Sequence, residues 1–416
     1  MGASQTNVQL QPSVQSRPRS LWHNRDFLFL WTGSILSNFG FQIYLIALPL
    51  LIYDMTQSAL AMSTMRAIDF FPNIFIGMIA GVIVDRYHRK WVMSMTTLVR
   101  IITLGGIIYL LYVEHIELWH LYILGFILSA AGYTFGNSHH SVLPQIISKQ
   151  QLTAANAKLS FVDTLINMIG PGIAGFLIAI YSYQVSFTVF LVCLCLVFLF
   201  VQLTHIPAPD TRSKQGQTSL WMEMKEGIDA LWVNKMLLTP TIVVLFINLA
   251  SSLVIGVLIF YAADWLHASE KQIGLMYSMG AVGGLLGSLC IPVLRKRYGR
   301  GQIYVWCLFL EGISYVVLVL SQTWWMVGIS LLIRVFSITM SNIVYFTIRQ
   351  ELTPNHLLGR VAGTSSMLMK LALPLGLFLS GIWAEFLPIK LLFVTSMSMV
   401  FLMFLFLRRH PFAAFQ

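Results

Sequence analysis

The sequence predicts an all-α membrane protein of twelve transmembrane helices arranged as two pseudo-symmetric six-helix halves. Three observations carry that expectation. Twelve apolar stretches of about 20 residues, the length a helix needs to cross a bilayer, follow one another between short polar connections. Of all residues 57% are hydrophobic and only 10% are charged, which is far from the balance of a water-soluble domain and excludes a large soluble enzyme core. One long connection, His205–Met236, divides the stretches six and six.

In chain order the predicted spans are Phe27–Ile52, Met62–Val84, Trp91–Tyr112, Leu118–Asn137, Ser160–Tyr181, Val185–Thr204, Leu237–Ala262, Gln272–Leu294, Gln302–Leu320, Trp324–Thr347, Val361–Trp383 and Pro388–Leu407. Residues 1–26 open the chain without an apolar run and are rich in Gln, Ser and Pro, so they read as a disordered cytoplasmic tail, and the first span does the targeting. Residues 27–204 form the first half and 237–407 the second, with a cytoplasmic tail over 408–416. The four cysteines, Cys193, Cys195, Cys290 and Cys307, all fall inside spans, where they pack as small apolar side chains and offer no metal-ligand or disulfide spacing. Gly77, Gly81, Gly280, Gly283, Gly284 and Gly287 suit close helix packing.

Within 205–236, Pro207–Thr218 is a polar linker. Leu220–Trp232 then sets Leu220, Met224, Ile228, Leu231 and Trp232 opposite Glu223, Lys225, Glu226 and Asp229, the spacing of a helix lying on the inner membrane face. The net charge of +10 is distributed by loop parity rather than gathered into a nucleic-acid patch. Of 26 Lys and Arg residues, 20 lie in the amino tail, the even-numbered loops and the carboxyl tail, and the opposite loops hold only Lys271 and Lys390. By the positive-inside rule, both termini and the even loops are cytoplasmic. A multi-pass protein of the cell membrane is expected, monomeric, with no nucleic-acid partner.

A repeat shows in two loops. Asp85-Arg-Tyr-His-Arg89-Lys90 superposes on Lys296-Arg-Tyr-Gly-Arg300-Gly301 with a shift of 211 residues. Two six-helix halves of weak internal similarity indicate a secondary transporter with its substrate site near the midplane between them.

Gly81-Val-Ile-Val-Asp85-Arg86-Tyr-His-Arg89-Lys90 resembles the loop signature of the major facilitator superfamily, with His88 where that family usually has glycine. The resemblance implies a gate: Gly81 lets helices approach, Asp85 accepts charge-assisted hydrogen bonds, and Arg86, Arg89 and Lys90 reach carboxylates or lipid phosphates. Such a lock favours the outward-facing state. Gly170-Pro171-Gly172-Ile173-Ala174-Gly175 resembles the glycine-proline motif of the family's antiporters, where a bend with tight helix contact limits leakage between halves. Phe135–Gln145 with Leu152–Ala157, and Leu358–Val361 with Leu373–Gly376, resemble segments of the drug-proton antiporter branch that contains macrolide-efflux and siderophore-export proteins. The fourth-span arginine of many superfamily antiporters is missing, since that span has no basic residue beyond His120.

Charges inside a bilayer are costly and face a cavity or a partner. The set is Arg66, Asp69, Arg100, Asp163, Glu311, Arg334 and Lys370. Arg66 and Asp69 share a helix face three residues apart, so they read either as a mutual ion pair or as a proton carrier with its modulating cation. Glu311 is the second proton-coupling candidate. The 211 shift maps Arg100 onto Glu311, and in the family's fold both helices lie outside the central cavity, which makes these two braces of their own halves. Asp163 reads as part of the inner gate. Arg334 and Lys370 sit near the midplane and can neutralise an anionic group, while Asn38, Gln42, Tyr133, Asn137, Asn248 and Asn342 can supply hydrogen bonds to substrate or between helices.

The expected function is export of a small amphipathic compound, drug-like or siderophore-like, by alternating access with proton antiport. An importer or lysolipid flippase of the same fold is the alternative. A membrane enzyme or receptor has less support: there is no nucleotide-binding G-x-x-x-x-G-K-[ST] loop, and His139-His140 is a lone pair. No cofactor is called for. Protons, the small-molecule substrate and membrane lipid are the expected partners.

Overall fold

The computed structural model describes residues 21–86, 88–148, 151–206, 220–354 and 357–415, with the side chains of 75–86, 153 and 220–224 outside that description. The helices are α1 (Arg25–Thr56), α2 (Ala59–Arg86), α3 (Arg89–Tyr112), α4 (Leu118–Ile146), α5 (Leu152–Ile180), α6 (Tyr183–Leu203), α7 (Leu220–Val233), α8 (Lys235–Phe260), α9 (Glu270–Leu294), α10 (Arg300–Val319), α11 (Trp324–Leu352), α12 (Leu358–Phe386) and α13 (Ile389–Arg408). Their starts are set by polar caps: Asn24, Ser182 and Asn234 accept from the first-turn amides of α1, α6 and α8, and Ser269 with Gln272 forms a reciprocal box at α9.

Eleven of these helices are long and apolar enough to cross a membrane among the described residues. The 28-residue α2 has the length as well, about 42 Å at 1.5 Å per residue. The protein is therefore an all-helical, multi-pass membrane protein. Several helices outrun the apolar stretches that announced them. The α4 helix continues past Asn137 to Ile146, and α5 begins at Leu152 rather than Ser160, because hydropathy marks only the part that meets lipid while the i to i−4 hydrogen bonds carry on into water.

Two connecting segments depart from the sequence expectation. Residues 21–26, placed in a disordered tail, are ordered: Leu21 is buried with Leu143, Ile147 and Leu159, and the Lys158 ammonium lies 4.0 Å over the Trp22 ring. The rest of that tail and the Pro207–Thr218 linker lie outside the described residues. The carboxyl end folds back in a short turn over Pro411–Ala414, with Phe412 fully buried and the Gly301 amide donating to the Phe415 carbonyl at 2.9 Å. The α7 helix forms over the predicted amphipathic stretch. It packs on α12, where Glu226 pairs with Arg360 and a Cβ at Gly227 would come 2.7 Å from the Arg360 carbonyl. Leu231 is buried against Leu237 and Val361, whereas Trp232 and Val233 stay exposed.

The core reveals how the halves meet. At the end carrying the α1–α2 turn, one continuous apolar cluster joins both halves, running from Ile43–Ile52 of α1 through Leu253–Ala262 to Leu331 and Val400. At the end carrying the chain termini the core is split among the described residues. Leu30, Met93, Phe135, Val142 and Val197 pack within the first half, and Val243, Ile303, Leu308, Val344 and Leu407 within the second. Among the described residues, one cluster joins the halves at one end and separate clusters serve them at the other.

Candidate functional site

The closed end is sealed by small residues and hydrogen bonds between the halves. The α5 and α9 helices cross where a Cβ at Gly175 would lie 2.3 Å from the Glu270 carbonyl and one at Gly274 would lie 2.3 Å from the Pro171 carbonyl. Only glycine allows that approach. Pro171 lies inside α5, and the Gly172 amide donates to Ser278 Oγ of the other half at 3.1 Å. On the adjacent side a Cβ at Gly381 of α12 would meet Ser63 and Leu60 of α2. Ser58 Oγ donates to Glu385 at 3.2 Å, and Tyr53 Oη donates to Asp264 at 3.2 Å. Asp264 sits in a π-helical turn over Tyr261–Trp265 that ends α8. Tyr53 and Asp264 are 211 residues apart, the same shift that superposes the repeated loops.

Toward the divided end, a cavity of about 240 Å³ opens in the first half, lined by residues of α1, α3, α4 and α5. Ser37 and Asn38, consecutive on α1, face different partners. Arg100 Nη1 donates to Ser37 Oγ at 3.1 Å, and Asn38 Nδ2 donates to Asp163 at 2.6 Å. Phe41, Leu128 and Phe135 provide the apolar wall, and Tyr133, His139 and His140 the polar one. His139 is fixed by its Nε2 contact with the Leu30 carbonyl at 3.3 Å.

Asp69 lies behind this wall. Ser129 lines the cavity and donates to Asp69 Oδ1 at 2.7 Å, and Tyr44 Oη donates to the same oxygen at 2.8 Å. Arg66 and Asp69 do not form the ion pair their spacing suggests: the Arg66 guanidinium donates to the Leu45 carbonyl and acts on Asp69 only through space. Asp69 is 7% exposed, and both hydroxyls bond the same oxygen, Oδ1.

The other half treats its charges differently. Glu311 is 1% exposed with Oε1 unpartnered, within electrostatic reach of Arg334, which donates to Ser251 Oγ at 2.8 Å. Asn248 Nδ2 is spent on the Met369 carbonyl at 2.8 Å, and Asn342 is half-buried on α11. Lys370 spans the halves, donating to Asn73 at 3.3 Å. Gln42 pairs with Asn167, and a Cβ at Gly170 would lie 2.9 Å or less from the Gln42 side chain. Asn137 is exposed and is not part of the cavity lining.

The loop cations also differ from expectation. Arg89 donates to the Ser141 carbonyl at 3.0 Å, and Lys90 to the Gln202 and Thr204 carbonyls at 2.7 and 2.9 Å. Both bond backbone carbonyls of their own half, and Lys90 caps the carboxyl end of α6. The Gly81, Asp85 and Arg86 side-chain positions lie outside the described residues. The larger correction concerns Arg100. Reading α3 as an outer helix made it a brace, yet it lines the cavity, because a residue midway along a peripheral helix can reach past a serine on α1. Ser34, Ser37, Ser129 and His140 line the cavity too and carry no distinguishing sequence signal, since isolated hydroxyls and imidazoles in spans are common in packing.

Comparisons with known proteins agree with this architecture. The family model described as transmembrane secretion effector matches residues 19–415. Macrolide efflux protein A of Streptococcus pyogenes is 23% identical over 378 residues, covering 90% of this chain and 93% of that protein. The multidrug efflux pump Tap of Mycolicibacterium fortuitum is 25% identical over 370 residues, covering 86% and 89%. Among solved structures, the nucleoside transporter NupG superposes with a TM-score of 0.75 at 15% identity, covering 92% of this chain and 98% of that one. A bacterial homologue of the iron transporter ferroportin superposes with a TM-score of 0.70 at 20% identity, covering 93% and 99%. These likenesses establish the major facilitator fold.

Proposed function

The chain belongs to the transmembrane secretion effector family, and we propose that it is a secondary exporter that moves a small amphipathic compound out of the cell by alternating access. The observation that carries this reading is the split core. One apolar cluster closes the end with the α1–α2 turn, while separate clusters leave the termini end divided above a polar-and-aromatic cavity. With both termini cytoplasmic, as the loop charges suggest, this arrangement is a loading state open to the cytoplasm. The relatives named for macrolide and multidrug efflux support the outward direction.

Protons supply the drive in this reading. Asp69 is the carrier: it is buried beside the cavity and shares Ser129 with it, so the Ser129 hydroxyl links the acid to the cavity lining. Arg89 and Lys90 bond carbonyls of their own half here, so joining an inner lock would require them to exchange those partners.

Everted vesicles with an imposed pH gradient, assayed against a panel of macrolides, siderophores and lysolipids, test the proposal. Uptake that collapses when an uncoupler is added supports proton-driven export. Uptake that is indifferent to the gradient, or efflux from the vesicles when the gradient is imposed, overturns it.

A further inference from the structure

We propose that the first-half cavity recognises the carboxylate of an amphipathic acid through Arg100. The inference rests on the cavity being the substrate site and adds the class of cargo it takes. Arg100 is 3% exposed and midway along α3. A guanidinium has five N–H donors; here Nη1 reaches Ser37, and Nε has no acceptor at all.

The remaining intramembrane cations are answered. Arg66 lies within reach of Asp69, Arg334 within reach of Glu311, and Lys370 contacts Asn73. No acid acts on Arg100 in the same way among the described residues, and no carboxylate lies within ion-pair distance. Two aromatic rings, Phe135 and Phe190, flank it at 5.7 Å each and offset only part of the cost of burying an unpaired charge. Asp163, the acid in the lining, is turned toward Asn38 on the next residue of α1, so α1 keeps the two charges apart.

A planar oxyanion fits what is left. Arginine forks bind carboxylates by paired N–H donors, and the adjacent Phe41, Leu128 and Phe135 side chains suit an aromatic or aliphatic body. The cavity volume of about 240 Å³ accommodates a ligand of roughly one fused ring system with its acid group.

The test is equilibrium dialysis of the purified full chain, in detergent and with no gradient, using labelled 1-naphthoate with 1-naphthamide and 1-naphthylmethylamine as competitors. Wild type should bind the carboxylate at least about tenfold more tightly than either competitor. Arg100→Gln should abolish that preference and Arg100→Lys should retain part of it. Should Arg100→Gln fail to fold, a cysteine at Ser34 in a background lacking the native four gives an independent readout, with alkylation blocked by naphthoate and not by the amide. Equal competition by the amide, stronger competition by the amine, absence of naphthoate binding, or unprotected Ser34→Cys overturns the assignment. Export is read separately under a gradient, so a chain that exports neutral or cationic compounds but shows no carboxylate preference loses this inference and keeps the exporter reading.

Discussion

The two halves answer the same problem, ionisable groups inside a bilayer, in opposite ways. In the second half the acid and the base sit near each other: Glu311 on α10 and Arg334 on α11 are both buried, and Arg334 reaches across to Ser251 of α8. In the first half the charges are dispersed. Arg100 occupies the position that the 211 shift maps onto Glu311, yet it meets no acid and lines a cavity instead, and Asp69 is held by hydroxyls of Tyr44 and Ser129 rather than by Arg66. Each half has a serine on its first helix that accepts from a buried arginine, but the two serines do not correspond under the 211 shift, and the arginine comes from α3 in one and α11 in the other. The difference shows how a pseudo-symmetric scaffold divides labour. Each half has an acid with an arginine acting on it through space, and Arg100 is the cation in the first half on which no acid acts among the described residues.

That comparison breaks most sharply at its two acids. Under the proposed antiport, Asp69→Asn should lower gradient-driven export by tenfold or more while exchange of labelled for unlabelled substrate persists, because the group that changes proton affinity between states is gone. Glu311→Gln should leave export per folded molecule within about twofold of wild type, as expected for an exposed-to-nothing packing acid. Vesicle transport normalised to folded protein checks both. Loss of export in the second variant and not the first would reverse the roles of the halves.

The next effect is on stability. Arg334→Leu leaves Glu311 buried without the cation that acts on it through space, which lowers stability. A large drop in melting temperature in detergent is expected, partly restored by the second change Glu311→Gln. An Arg334→Leu protein that melts with wild type would mean that the two charges act independently.

How much of this was legible in the sequence depends on what each residue's signal encodes. Span length, loop charge and the 211 shift are local or additive properties, and the spans, the central division and the repeat were read from them. Small residues around a proline mark the Gly170–Gly175 run in the sequence, and Gly172 and Gly175 lie against α9 in the structure. Orientation of a helix about its axis is a tertiary property. Hydropathy along α3 does not say that Arg100 turns toward α1, and the spacing of Arg66 and Asp69 does not say that Tyr44 and Leu45 on α1 intercept both partners. Likewise the polar extensions of α4 and α5 carry helix-compatible residues with no apolar stripe to mark them.

A smaller effect sharpens the contrast between the closed and divided ends. Gly175→Ala places a Cβ about 2.3 Å from a backbone carbonyl that cannot move aside cheaply. The α5–α9 crossing should loosen and the population shift toward states parted at that end, read as a lengthened distance between spin labels at Tyr181 and Leu387. Gly105→Ala, where a Cβ would meet nothing within 4 Å, should leave the distribution unchanged. Equal distributions in both variants would show that the crossing does not hold the end shut.

The smallest predicted effect concerns the pair on the pseudo-twofold relation. Tyr53→Phe removes the hydroxyl that reaches Asp264 but keeps the ring, which packs edge-on against Phe260 at 5.8 Å. A single hydrogen bond contributes a net 0.5 to 1.5 kcal/mol or so, which is roughly a two- to tenfold change in a two-state population. Because Tyr53 bonds across the halves only while that end is shut, the loss falls on the closed-end state alone, and the same label pair should report a modest shift toward separation. Asp264→Asn retains a carbonyl oxygen that accepts the same hydroxyl, so its shift should be smaller than that of Tyr53→Phe. If Asp264→Asn moves the population further than Tyr53→Phe does, the carboxylate's charge, and not the hydrogen bond it accepts, is what holds the two repeats together at this end.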